Sequence, residues 1–513
     1  MNDALVNEEK LARWFWIALG AGLIFKLVLA AAAPMSGDEA YFLIWGKQPD
    51  FGFYDHPPMV GWLLWLMLRF SDAEWVLRIP AVLLSLVVGY GIYRLLRDED
   101  REKAYLAALL YLLAPTSLLN VIITTDTGLI LFSFLSAAML WRAEKSGVTR
   151  DFIWSGVFLG LAILSKYFAA LLVLAYLVYW WATPRRAERN RQFLWLFLTA
   201  LPFLALNLYW NYGHCWANIM FNVFNRHEDA GFSPLRPPLF LFLNLYLMTP
   251  LLAWFAYRKR QALVAYARTG QGRLLAILFV VPLAVFALLS FVKTIGLHWV
   301  LSFYPFFFMF MALVLDKESL AKALRFMVYF TGAHVLAIVI FAVLPMETFQ
   351  RWTKYDGMVF MLEPHAILEQ LEPYEDSFAF ATDGYSASAI ISYHARRNFA
   401  VFGEASSHAR HDDIVTDFRE FDGRNILVLL KKEPEFDHFG PYFKSIEFQR
   451  FTVRGATFYL VLGRGFDYRT YREKVLRTVK EKYYAVPRYL PMGACYFCDK
   501  YFPGESCRPV EKR

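Results

Sequence analysis

Eleven apolar runs, each close to the length that crosses a bilayer, dominate this 513-residue chain. They lie near 14–33, 76–96, 104–122, 127–141, 152–165, 167–182, 193–212, 238–256, 274–292, 299–315 and 326–345. Lipid offers the backbone no hydrogen-bond partners, so runs of this length read as helices that satisfy their own peptide groups. Hydrophobic residues make up 58% of the chain and only 19% are charged, against about a quarter in soluble domains. The expected fold class is therefore mainly α, a polytopic membrane protein of about 11 transmembrane helices. The net charge of +8 then orients helices rather than binding nucleic acid. The first run ends in Ala-Ala-Ala-Pro34 and opens a series, which marks an uncleaved first span rather than a signal peptide.

Charged clusters interrupt the runs at Arg97-Asp-Glu-Asp-Arg-Glu-Lys103, Arg185-Arg-Ala-Glu-Arg-Asn-Arg191 and Arg258-Lys-Arg260. With alternating spans, 21 Lys and Arg fall on the N-terminal side and seven on the other. The positive-inside rule thus predicts a cytoplasmic N-terminus and an outward-facing C-terminal part, in a bacterial inner membrane. The expected division is 1–345 as the membrane module with outer loops 34–75 and 213–237, 346–484 as an outer, periplasmic α/β domain, and 485–513 as a tail. Pro57 to Phe70 reads as a helix along the outer surface. Segments 377–382, 425–430 and 457–462 read as strands, and 387–393 and 468–484 as helices.

Cys215, Cys495, Cys498 and Cys507 all fall outside in this topology, where disulfides persist. One Cys-x-x-Cys lacks the second pair of a zinc ribbon, so a tail disulfide is favoured over a metal site, with the pairing open.

Polar residues gather at the outer mouth. Asp38 and Glu39 follow the first run, and Asp55 comes seventeen residues after Asp38. Charge at a membrane boundary is costly and usually kept for function. A carboxylate in such a desolvated pocket suits a general base. Adjacent residues diverge by about 100° on a helix, so only one of Asp38 and Glu39 faces the reacting group. Cations complement them: Arg78, Lys166, Lys293 and His298 at outer turns, and Arg226 and His227 on a loop that also holds Glu228 and Asp229. Several cations at an outer mouth fit a lipid phosphate. Asp126 either caps the helix that starts beside it or orients one of these cations. Nucleotide-cradle, nucleophile-elbow and zincin motifs are missing from the sequence. An outward-facing enzyme then needs a pre-activated donor, and a polyprenyl-phosphate sugar is one.

Gly37-Asp-Glu-Ala-Tyr-Phe42, Tyr54-Asp-His-Pro-Pro-Met59, Thr125-Asp-Thr127, Leu164-Ser-Lys-Tyr167 and Leu206-Asn-Leu-Tyr-Trp-Asn211 together resemble the bacterial GT-C glycosyltransferases related to protein O-mannosyltransferases and lipid A aminoarabinose transferases. The resemblance covers about 1–345. It implies a membrane glycosyltransferase that moves a sugar from a polyprenyl-phosphate donor to a lipid A, lipopolysaccharide, glycan or protein acceptor, with inversion. By position, Asp38 matches the catalytic carboxylate, Glu39 its neighbour, Asp55 the second acidic residue and Lys166 a donor-phosphate lysine. His56 stands where the aminoarabinose branch has lysine. No metal is required for a phosphate leaving group, although Asp38, Asp55 and His227 form a set that can accept a divalent ion. A transporter or flippase of lipid-linked sugars is the alternative. It would place charge at the bilayer midplane and show paired halves, whereas here charge crowds the boundary and no halves repeat.

Overall fold

The computed structural model describes residues 7–184, 187–227 and 231–509, apart from the side chain of His227. Arg185, Arg186, Glu228 and Asp229 lie outside the described residues. The chain forms two compact units. One comprises Met1–Ala33, Leu66–Leu206 and Ala230–Ala342, and the other Pro34–Trp65, Asn207–Asp229 and Val343–Arg513. The division is not linear: the mouth segment 34–65 and the segment 207–229 group with the C-terminal residues.

The first unit is helical, and each of the eleven apolar runs falls on a helix or a pair of helices. Among the described residues, six helices have the length and apolarity to cross a membrane, or seven with one bent pair. Lys317–Val343 shows how they meet lipid: only 11% of its most apolar window is buried inside the protein. Ile24, Val28 and Leu288 are likewise each at least 63% exposed. Apolar surface on this scale needs a hydrocarbon solvent, and the protein is a multi-pass membrane protein.

Local chemistry sets the helix ends. Asp100 caps Arg101–Leu113 through the Lys103 N–H at 3.1 Å. Gly147 closes Thr125–Ser146 in the left-handed region, at φ 68°. The run 238–256 is not one straight helix: Arg236–Leu247 and Pro250–Arg258 meet at 100°. Pro250 disfavours helical geometry in the residue before it, and Thr249 sits at φ 66°. Pro115 ends the run 104–122 early in the same way, so its helix stops at Leu113.

Two buried cations tie the first helix, Glu8–Ala32, into this unit. The Lys26 ammonium donates at 2.8 Å to each of Ser85 Oγ, Ser117 O and Asn120 O. Arg78, 1% exposed, donates to Ala30 O at 2.6 Å and Ala33 O at 2.7 Å. Helices Thr149–Ile163 and Ala187–Gly213 approach closely because Gly156 carries no Cβ; one there would collide with the Leu196 carbonyl and Thr199.

In the second unit a five-stranded sheet has the order β2-β1-β3-β5-β4. The strands are β1 Ala379–Thr382, β2 Ala400–Val401, β3 Ile426–Leu430, β4 Phe443–Val453 and β5 Ala456–Phe466. β1 runs parallel to β2 and β3, whereas β3–β5 and β4–β5 are antiparallel. Arg454 and Gly455, both at positive φ, turn the β4–β5 hairpin. β3 is buried along its whole length and forms the core of the sheet. Disulfides join Cys215 to Cys495 and Cys498 to Cys507, so all four cysteines are used and the tail is crosslinked both to itself and to the 207–229 segment.

Candidate active site

The mouth segment starts a helix, Gly37–Lys47, whose N-cap is Ser36. The Glu39 carboxylate reaches back to Ser36 N at 3.2 Å and Ser36 Oγ at 3.0 Å, while Glu39 N donates to Ser36 Oγ. This capping box fixes the first turn. The Glu39 carboxylate that closes it is buried. Asp38, one residue earlier, is exposed and accepts a hydrogen bond from the Tyr385 hydroxyl at 3.1 Å. The cap is thus made by Ser36 and Glu39, while Asp38 stays exposed.

Asp55 is only 6% exposed. The Tyr41 hydroxyl donates to its Oδ1 at 3.1 Å, and in turn accepts from the backbone N–H of His411 at 3.1 Å. Asn218 and Asn222 hold the loop from behind by donating to the carbonyls of Phe53 and Asp55, each at 2.9 Å. Burial pushes the Asp55 carboxyl up to about 7; the Asp38 charge adds to the rise, while the Tyr41 hydrogen bond and the Arg226 charge oppose it. Asp55 therefore senses the charges of both Asp38 and Arg226. Burial holds His411 neutral, down to about 3. Its ring packs near Tyr41, Trp45 and Phe53. His56 is edge-on to Phe42 and Trp45. Arg226 lies over the Phe221 ring, 5.8 Å from its centre. His227 ends a short 3-10 turn, and its side chain lies outside the described residues.

In the other unit, Lys166 donates to both carboxylate oxygens of Asp126, at 2.9 and 2.8 Å. The two side chains are each 8% exposed. Thr124, not Asp126, is the N-cap of Thr125–Ser146, closing a capping box with Thr127, so Asp126 orients a cation. His298 Nε2 lies 3.9 Å from Asp126 Oδ2 and is itself 59% exposed. Lys293 is half-buried, just beyond the end of Gly270–Leu289. The Arg78 guanidinium donates to the last carbonyls of the first helix and lies 3.3 Å from Glu74.

Tyr41, Tyr385, His411, Asn218 and Asn222 were not marked as site residues by sequence. Tyr41 stands inside the Gly-Asp-Glu-Ala-Tyr stretch and could have been found as the next aromatic on the Asp38 helix. Tyr385 carries no such signal, since it lies 347 residues from Asp38.

Residues 55–210 match the dolichyl-phosphate-mannose-protein mannosyltransferase family. The lipid A galacturonosyltransferase RgtD of Rhizobium johnstonii (strain DSM 114642 / LMG 32736 / 3841) is 23% identical over 181 residues. That match covers 34% of this chain and 38% of the relative's length. ArnT from Cupriavidus metallidurans in the apo state superposes with a TM-score of 0.60 at 14% identity, covering 88% of this chain and 98% of ArnT. The same ArnT bound to undecaprenyl phosphate gives 0.61 at 14% identity, covering 87% and 98%. The chain has the GT-C glycosyltransferase fold. Within this GT-C chain the family match begins at Asp55 itself and takes in Arg78, Asp126 and Lys166.

Proposed function

We propose that this GT-C protein transfers a sugar from a polyprenyl-phosphate donor to a lipid A-type lipid, a glycan or a protein, on the outer face of a bacterial inner membrane. The observation that carries the reading is the carboxylate pair. Asp38 is exposed and aimed by Tyr385, while Asp55 is buried, held by Tyr41 and poised near neutrality. Two carboxylates in contrasting environments are the arrangement by which one fold separates acid–base roles at neutral pH. Asp38 takes the proton of the acceptor hydroxyl as its oxygen bonds to the anomeric carbon. The bond from that carbon to the phosphate oxygen breaks on the opposite face, giving inversion, and the electron pair leaves with the polyprenyl phosphate. Ionised Asp55 adds negative charge beside the reacting hydroxyl, which favours loss of its proton. Arg226 takes the charge that develops on the leaving phosphate. A phosphate leaves without a metal once cations accept that charge, so transfer is expected to persist in a chelator. The excess of Lys and Arg on the N-terminal side supports an outward-facing site.

The test is Asp38→Asn, assayed in reconstituted membranes with a polyprenyl-phosphate sugar. Transfer is expected to fall by at least about 10³-fold, as loss of a base does, while the variant still binds undecaprenyl phosphate. Full turnover by the folded variant would remove Asp38 from the base role. Movement of the lipid-linked sugar across the bilayer with no transfer in the wild type would favour the flippase reading.

A further inference from the structure

Helix Gly37–Lys47 has a second functional end. Its C-terminal turn and that of helix Tyr385–Ala395 border a cavity of about 280 Å³, separate from the carboxylates of the first turn. Its polar lining includes Lys47, Gln48, Tyr393, Arg396, Arg397 and Asn398, and no carboxylate is among the lining residues. Three cations line one small cavity, with Glu375 beside Arg397 as a carboxylate neighbour outside the lining, and such a cluster suits an anion.

The arginines are placed, not merely present. Arg396 occupies the C-cap of Tyr385–Ala395 at φ 53°, ψ 25°, a left-handed position that favours glycine. An arginine there accepts backbone strain, and strain retained at a ligand-facing residue points to use. Arg397 is steadied by Phe380, whose ring centre lies 4.3 Å from the guanidinium carbon, and by Glu375 at 3.5 Å. Cations at two helix C-termini also satisfy the helix dipoles, but that task needs neither a cavity nor an arginine in the left-handed region.

Lys47 lies nine helical steps beyond Asp38, about 14 Å along the axis. The leaving phosphate of the donor must sit beside the anomeric carbon, close to the base, so it does not reach this cavity. We propose that the Lys47–Arg396–Arg397 cavity binds a phosphate group of the acceptor lipid, remote from the hydroxyl that receives the sugar. The proposal rests on the glycosyl-transfer reading for its word "acceptor", but the binding it predicts is measured without turnover.

The full-length protein in nanodiscs is titrated with bisphosphorylated lipid A, with the same lipid after phosphatase treatment, and with inorganic phosphate alone. The wild type is expected to prefer the phosphorylated lipid by about tenfold or more, the scale of a charge-assisted contact. Arg396→Gly deletes the guanidinium while suiting the left-handed backbone, so the fold is kept. Combined with Lys47→Gln, it should erase the preference and leave affinity for undecaprenyl phosphate unchanged. An undiminished preference in the double variant overturns the proposal. So does binding of free phosphate with no discrimination between the two lipids, which would make the cavity an ion site. Loss of preference in a protein that transfers no sugar would uphold the cavity and defeat the transferase reading.

Discussion

Two buried aspartates in this protein answer the cost of burial in opposite ways. Asp126 is matched by a cation, with the Lys166 ammonium bridging both its oxygens. Asp55 is met by a phenol, the Tyr41 hydroxyl, and its carboxyl is pushed up to about 7. An ion pair neutralises charge and fixes geometry, whereas a neutral donor leaves the carboxyl free to change protonation. The contrast separates an aspartate that positions a lysine from one whose charge can vary during a reaction.

The comparison breaks hardest at Lys166. Lys166→Met is expected to weaken binding of a polyprenyl-phosphate donor about 100-fold, the value of a lost charge-assisted phosphate contact. It also leaves buried Asp126 with only the exposed His298 beside it, at a cost of about 3 kcal/mol. Asp126→Asn together with Lys166→Met should recover the melting temperature but not the donor affinity. Binding titrations and thermal melts on both variants check this, and a double variant with full donor affinity would reduce the pair to a structural bridge.

Asp55 sharpens the comparison through pH. Wild-type kcat/KM should rise about tenfold as pH increases through 7 and the Asp55 charge forms beside Asp38; Asp55→Asn should abolish that inflection. Stability moves the other way. The folded carboxyl sits at about 7, above its ordinary 3.8, so the native state holds its proton more tightly than the unfolded chain. That contribution is complete below 3.8 and is lost as pH climbs through 7. Relative to wild type, Asp55→Asn should therefore gain about 2 kcal/mol between pH 5 and pH 8. A gain that does not vary with pH would show that Asp55 does not titrate in this range.

These distinctions were only partly legible in the chain. The apolar runs announced the helices because lipid leaves the backbone no other economy, and Asp38, Asp55 and Lys166 stood out as charges where charge is expensive. Asp126 reads from sequence as either cap or partner, since a Thr-Thr-Asp-Thr stretch offers several caps and only three-dimensional packing selects Thr124. Glu39 showed the reverse: its carboxylate matched the site pattern, while Ser36 three residues before it already spelled a capping box. β4 went unseen because it is an edge strand rich in charge, with Lys444, Glu447 and Arg450, and lacks the apolar pattern of β3. The break at Thr249 carried its signal in Pro250, hidden by the apolar residues on both sides. Tyr385 and His411 could not be found by spacing, because their partnership with the mouth is made by folding across more than 340 residues.

Tyr385 supplies the smallest and most discriminating test. Its hydroxyl reaches Asp38 at 3.1 Å, and its ring is edge-on to Tyr41 with centres 5.4 Å apart. Tyr385→Phe keeps the ring contact and removes only the hydrogen bond. A single such bond to an exposed carboxylate is worth about 1 kcal/mol, so kcat should fall about threefold to tenfold. The KM for donor should stay constant, because the phenol aims the base and does not hold the phosphate. Tyr41→Phe makes the matching change at Asp55 and should instead shift the pH inflection upward, since that hydrogen bond favours the ionised carboxylate. If both variants lowered kcat equally and left the pH profile alone, the two carboxylates would share one role, and the division of labour between Asp38 and Asp55 would fail.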